Sequence, residues 1–299
     1  MKPDKKPGFF RLLWELLYPF LAYQLISTVV SAVVAMLLIS LNFGSYLGLN
    51  DPMKLMEAFS QLIVDYYGEI SAVTAVLTLP LLIVLFRNDR KKEKAAAVYT
   101  AWEPLPAWAY ITVFIMGAAA CVGLNHLLIF SRLSELLQDS YESTAEILFQ
   151  GKLIIEILVM GMLVPAVEEL IFRGLAYRRM RWYIKPVPAM ILSALYFAAV
   201  HGNWLQGIYA FIIGLLLAHA YEHTRSVFVP ILIHSGANIV SVVISETAVF
   251  DRVYESDALF YIVTAAAIII FAALFYLMVT YITPREKTQQ SLGAYGQNE

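Results

Sequence analysis

Long apolar runs alternate with short polar segments along the chain, and the runs have the length of membrane spans rather than of core helices. Crossing the hydrocarbon of a bilayer takes roughly 20 predominantly apolar residues. By that measure eight spans are predicted, near residues 17–41, 69–87, 107–131, 152–176, 187–202, 205–222, 227–247 and 258–282. The fifth and sixth are short and share a tight connection at Gly202-Asn203-Trp204. The predicted fold is therefore all-α, a polytopic transmembrane helix bundle.

The polar segments between the runs give an orientation, because cytoplasmic loops carry the excess of Lys and Arg. With the N-terminus inside and eight alternating spans, the inside segments hold Lys2, Lys5, Lys6, Arg11, Arg87, Arg90, Lys91, Lys92, Lys94, Arg178, Arg179, Arg181, Lys185, Arg225, Arg285 and Lys287. Against these sixteen stand four on the outside, Lys54, Arg132, Lys152 and Arg252. The outside loops are acidic instead, with Glu135, Asp139, Glu142 and Glu146 in one and Glu246, Asp251, Glu255 and Asp257 in another. Both termini are thus predicted inside.

Composition agrees. Hydrophobic residues make up 60% of the 299 and charged ones 15%, where soluble domains are about a quarter charged. Mean hydropathy is +0.68. A net charge of -2 and a pI of 6.2 leave no basic excess for a nucleic-acid partner. The single cysteine, Cys121, excludes an internal disulfide and reads as a packed residue of its apolar run. The basic N-terminus precedes an apolar stretch from Leu12 to Leu41. A signal-peptide core is only roughly 7–15 residues long, so this stretch reads as a retained anchor. No tandem repeat or low-complexity segment is present.

Chemistry enters through charges at membrane depth. The fourth span carries Pro165, Glu168, Glu169 and Arg173. A charged side chain in the bilayer interior costs several kcal/mol and is a functional candidate by default. Glu169 and Arg173 are four residues apart on one helix face and can pair. Glu168 points about 100° away, at 3.6 residues per turn. A structural ion pair accounts for Glu169 and Arg173 but not for the second carboxylate. Pro165 removes a backbone hydrogen bond just before the pair.

Two further spans contribute. His201 closes the fifth, and His234 and Asn238 share a face of the seventh. Taken singly, each is as well explained by an interhelical hydrogen bond. Depth links two of them. Glu168 lies ten residues before Arg178 and His234 nine after Arg225, about 15 Å and 14 Å at the rise of a helix. The spans run oppositely, so the two meet at one level. His201 fits less well, unless the prolines at 186 and 188 delay its helix.

Taken in order, Glu168-Glu169-x-x-x-Arg173, Phe197-x-x-x-His201 and His234-x-x-x-Asn238, with Arg225-Ser226 before the last, resemble the CPBP family. This family, also called Abi or CAAX protease, includes Rce1-type prenyl-protein endopeptidases and bacterial bacteriocin-processing or self-immunity proteins. The resemblance covers about residues 150–245. It implies a bundle with a polar cavity opening toward the cytoplasm, and peptide-bond hydrolysis in or near the membrane. By the same resemblance Glu168 acts with His201 to activate water. His234 and Asn238 bind a metal or stabilise the oxyanion, and Glu169 and Arg173 support the site. Glu168, His201 and His234 also suit Zn²⁺, which would lower the pKa of bound water. The residues leave metal-dependent and metal-free catalysis both open.

The expected organisation is an N-terminal region of three spans over 1–150, a protease core of four spans over 151–247, and a last span with a cytoplasmic tail over 248–299. The expected partners are the lipid bilayer and a peptide or membrane-protein substrate, lipidated in the eukaryotic relatives. The expected location is a bacterial plasma membrane. A non-catalytic immunity or scaffold protein is the alternative, and a proton-coupled transporter a lesser one, since no inverted second copy of the Glu-Glu motif is present. His219-Ala-Tyr-Glu222-His223 matches a zinc-protease pattern, but falls at the end of the sixth span beside Arg225 and reads as structural. His126, beside Asn125, reads as packing, and Glu156 receives no role.

Overall fold

The structure is a computed structural model, which describes residues 8–41, 51–95, 104–131 and 153–282. Helix α1 covers Phe9–Leu41, α2 Pro52–Asp65, α3 Tyr67–Ala95 and α4 Ala107–Phe130. Residues 153–181 form α5, helical throughout but unevenly wound. Then come α6 at Pro186–Ala199, α7 at Trp204–Thr224, α8 at Phe228–Glu246 and, after two single turns, α9 at Asp257–Tyr281. No strand occurs among the described residues. Six helices (α1, α3, α4, α7, α8 and α9) are long and apolar enough to cross a membrane. They make an integral, multi-pass membrane protein, and α5 with the shorter apolar α6 stands where the other two spans are expected.

The boundaries differ from expectation in instructive places. Helix α1 starts at Phe9 rather than near 17, and Arg11 in this added stretch pairs with Glu15 at 3.1 Å. Helix α6 stops at Ala199 and leaves His201 in a turn. Gly202 there has φ +77°, a conformation that costs other residues. Asn203 restarts the chain as the N-cap of α7, its Oδ1 accepting from the Gln206 N–H at 2.7 Å. Helix α2 has no apolar run to announce it. It begins at Asp51, which accepts from the Met53 N–H at 2.9 Å, followed by Pro52 in the first turn. The acidic loop residues Glu135, Asp139, Glu142 and Glu146 lie outside the described residues.

Backbone contact between α4 and α8 forms the spine of the bundle. A Cβ on Gly117 would stand 1.9 Å from the Ile233 carbonyl oxygen, and one on Gly236 2.1 Å from that of Phe114. Small residues let membrane helices approach this closely, where dispersion replaces the hydrophobic drive of water. Around α5 sits the apolar core, with Ile171, Phe172, Leu175, Leu217 and Ile233 among its buried members. Large apolar side chains such as Leu25, Val29, Met36, Ile262 and Ile269 face outward, as a lipid-embedded surface requires.

At the basic end, α5 ties its neighbours together. Arg178 is paired with Glu93, which also accepts from the Trp182 indole at 3.0 Å. Arg179 pairs with Asp89 at 2.7 Å and donates to the Glu15 carbonyl and, at 2.9 Å, to Tyr18. Glu222 receives Arg181 at 3.1 Å, Arg225 at 2.9 Å and the Tyr177 hydroxyl at 2.8 Å. Arg90 and Arg178 both donate to the buried Tyr221 hydroxyl. Four helices are thereby tied together at this end, with the ionic groups largely removed from solvent.

Candidate active site

The site grows from the uneven winding of α5. Pro165 has no N–H and its ring crowds the carbonyl four residues earlier. The turn before it, Val159–Leu163, is π-helical. There the Val164 N–H donates to the Val159 carbonyl, five residues back. The Met160 carbonyl would by the same pattern need a donor from residue 165, which is proline. Asn238 of α8 supplies it, its Nδ2 donating to Met160 O at 3.0 Å. Freed backbone groups in membrane helices are satisfied in this way by neighbouring side chains. Leu170–Tyr177 is π-helical too, so Val164–Glu169, with both glutamates, lies between two wide turns.

Glu169 and Arg173 point into protein and are fully buried, Oε1 to Nη1 at 2.6 Å. Arg173 donates again from Nη2 to the Gly214 carbonyl at 3.2 Å, and its guanidinium lies 4.5 Å from the centre of the Phe197 ring. The same Glu169 oxygen stands 3.0 Å from His234 Nδ1. Arg173, Glu169 and His234 thus form one chain of contacts across α5 and α8. The other imidazole nitrogen, Nε2, faces Glu168 Oε2 at 3.7 Å. The agreement in depth expected for Glu168 and His234 is met.

Glu168 differs from its neighbour. Its side chain is 21% exposed, against 0% for Glu169, and it opens on a cavity of about 530 Å³. His201, His234 and Asn238 line the same cavity. His201 Nδ1 lies 2.6 Å from the Phe197 carbonyl. A carbonyl only accepts, so Nδ1 carries a proton, and in the neutral imidazole Nε2 keeps its lone pair. The Phe197 ring meets His201 edge-on at 4.5 Å and His234 at 5.6 Å. Phe197 therefore touches both histidines and the arginine.

All six sequence candidates are accounted for. Glu168, His201, His234 and Asn238 share the cavity, and Glu169 and Arg173 stand behind it. Glu168 is the sole carboxylate on the described cavity wall, and no Lys or Arg lines it. Among the described residues, no three His, Cys, Asp or Glu side chains are grouped closely enough to hold a metal ion. As placed, Glu168, His201 and His234 are not drawn together into one such group. The second motif, His219-x-x-Glu222-His223, lies in the basic end. The His219 and His223 rings are parallel at 6.2 Å and Glu222 is engaged by Arg181 and Arg225. His126 is buried, stacked on Phe260 at 4.5 Å and 2.7 Å from the Thr264 hydroxyl, which agrees with a packing role.

Sequence reasoning missed part of the wall. Phe20 and Tyr23 of α1 and Tyr67 of α3 line the cavity, although their region carries no motif. Ser241 and Ser245 line it as well. They continue the polar face begun by His234 and Asn238 at steps of four, three and four residues, a helical period present in the sequence.

Comparison with known proteins meets this geometry at one point. Residues 150–240 match the model of the Rce1-like family, described as type II CAAX prenyl endopeptidases. No curated protein and no solved structure gives a significant match. The matched segment contains both glutamates, Arg173, both cavity histidines and Asn238, so the candidate site lies within a segment similar to the Rce1-like family, carried by an integral membrane protein.

Proposed function

We propose that the protein is a membrane-embedded endopeptidase that hydrolyses a peptide bond with a water activated by Glu168 and His201. The observation that carries this reading is Glu168 itself, an acidic group that among the described residues pairs with no Lys or Arg, on the wall of a membrane-depth cavity. A charge in that setting is costly and marks function.

Each residue has a task. Glu168 takes a proton from water, the lone pair of His201 Nε2 accepts a second hydrogen bond from the same molecule, and the oxygen adds to the scissile carbonyl. An Asn side-chain amide has two N–H groups. One of those on Asn238 holds Met160, and the other donates to the oxyanion that forms. His234, when protonated at Nε2, donates beside it. The C–N bond then breaks as Glu168 passes the proton to the leaving amine. Glu169 and Arg173 orient His234. The donor arrangement supports this metal-free route rather than a zinc route.

Purified protein in nanodiscs, incubated with lipidated and unlipidated peptides with and without a chelator, tests the proposal. Cleavage should be lost in Glu168→Gln and in His201→Ala, and should survive the chelator. A cellular phenotype left intact by both substitutions would instead favour a scaffold or immunity role.

A further inference from the structure

Three features outside the proposed chemistry bear on how a substrate reaches it. The first is direction. Asn203 and Gln206, in the first turn of α7, and Ser241 and Ser245, in the last turns of α8, line the cavity. So does Tyr254, in the connection between α8 and α9. Ser245 lies eleven residues past His234, about 16 Å along the helix. The cavity thus extends from Glu168 to the end of the bundle that bears the α6–α7 turn. None of its lining residues comes from 173–185 or 214–228, the segments that build the basic end.

The second is closure. At the basic end the Arg178–Glu93, Arg179–Asp89 and Arg181–Glu222 pairs, with Tyr221 and Trp182, occupy the space beneath the site. Opening a route there would separate partly or fully buried ion pairs, which is strongly destabilising. The third is the charge distribution: among the described residues eleven Lys and Arg lie toward the closed side, against Lys54 and Arg252 toward the open side, which puts the closed end in the cytoplasm.

From these we infer that the cavity is loaded from the extracytoplasmic face, and that its occupant is an extended, uncharged stretch of polypeptide presented there. The resemblance to CAAX proteases implies the opposite, a cytoplasmic opening. The wall supports the substrate class. Beyond Glu168 and the two histidines its polar groups are amides and hydroxyls, such as those of Asn203, Gln206, Ser241 and Ser245, set among apolar side chains such as Leu128 and Val242. Such groups match the alternating N–H and C=O of a peptide backbone and provide no counter-charge for a charged side chain. The distance from His234 to Ser245, about 16 Å by helical rise, holds about five residues at the rise of a strand. The substrate class rests on the proposed protease reading, whereas the side of access does not.

Cysteine accessibility in intact bacterial cells expressing the full chain tests the side. Cys121, the chain's one cysteine, is fully buried and gives little background. A membrane-impermeant maleimide should label Ser245→Cys and Gln206→Cys in intact cells, and Lys185→Cys, on the basic end, only after permeabilisation. Labelling of the mouth positions only after permeabilisation, or of Lys185→Cys before it, overturns the inference. Right-side-out proteoliposomes given an uncharged unlipidated peptide outside should cleave it, and inside-out ones should not. Cleavage by solubilised protein and by inside-out vesicles alone would overturn the access side and spare the protease reading. Cleavage confined to lipidated or charged peptides would overturn the substrate class. Failure of solubilised protein to cleave any peptide would sink the protease reading and the substrate class with it, while the labelling still decides the side.

Discussion

The two ends of α5 handle charge in opposite ways. At the basic end Arg178, Arg179 and Arg181 each meet a carboxylate from another helix, and the volume between helices is filled. Earlier in the same helix, Glu169 is likewise matched, by Arg173, but among the described residues Glu168 meets no cationic group beyond His234 and faces open space. Burial alone does not separate these groups, since Glu169 is the more deeply buried of the two glutamates. What separates them is pairing. Matched charges join helices, and the unmatched one stands where the helices part. A charge at membrane depth becomes a candidate for chemistry once its neighbours are counted.

The largest effect should come from the unmatched charge. Glu168→Gln should lower the cleavage rate about 10²–10⁴-fold, the span for loss of a general base, while thermal unfolding in detergent stays at or above the wild-type temperature. A large drop in unfolding temperature would make Glu168 structural and erase the contrast. Removing a matched charge should do the reverse. Arg173→Ala strands Glu169 in the core and should cost about 3–5 kcal/mol in stability, read by denaturant titration in micelles. Gly236→Val drives a side chain into the Phe114 carbonyl and should cost up to about 3 kcal/mol, with loss of activity following the loss of fold. Arg181→Ala leaves Glu222 still held by Arg225 and Tyr177. It should cost about 1.5 kcal/mol and leave kcat unchanged. Smallest of all, His219→Ala should leave activity intact, and a loss there would move the chemistry to the basic end.

Much of the site is legible in the amino-acid sequence, and the reason is lipid. In a soluble protein a Glu, a His and an Asn scattered among loops carry little information. In apolar spans each is conspicuous, and the opposed directions of the fourth and seventh spans set Glu168 and His234 at one depth. The pairing of Glu169 with Arg173 follows from helical spacing and survives the π-helical turn that contains Arg173. Other features depend on geometry that spacing does not encode. The resting place of His201 in a turn is hidden because α6 ends three residues earlier than hydropathy does, ahead of Gly202. The cavity's direction depends on which ends of α4, α7 and α8 stand apart, and no single span contains that. Helix α2 escapes a hydropathy reading because its signal is a cap and a proline rather than an apolar run. The use of Asn238 as a partner for Met160 turns on where the missing N–H of Pro165 is felt.

The contact of α4 with α8 works as a vernier. Where a Cβ would strike the opposing carbonyl from either side, the two helices touch at one pair of notches, Gly117 and Gly236. Sliding α8 by one residue, about 1.5 Å, would bring Ser235 or Ala237 to the notch in place of Gly236. The height at which His234 and Asn238 stand above the sealed end is therefore graduated by two missing methyl groups, set on two helices other than the one that bears the glutamates.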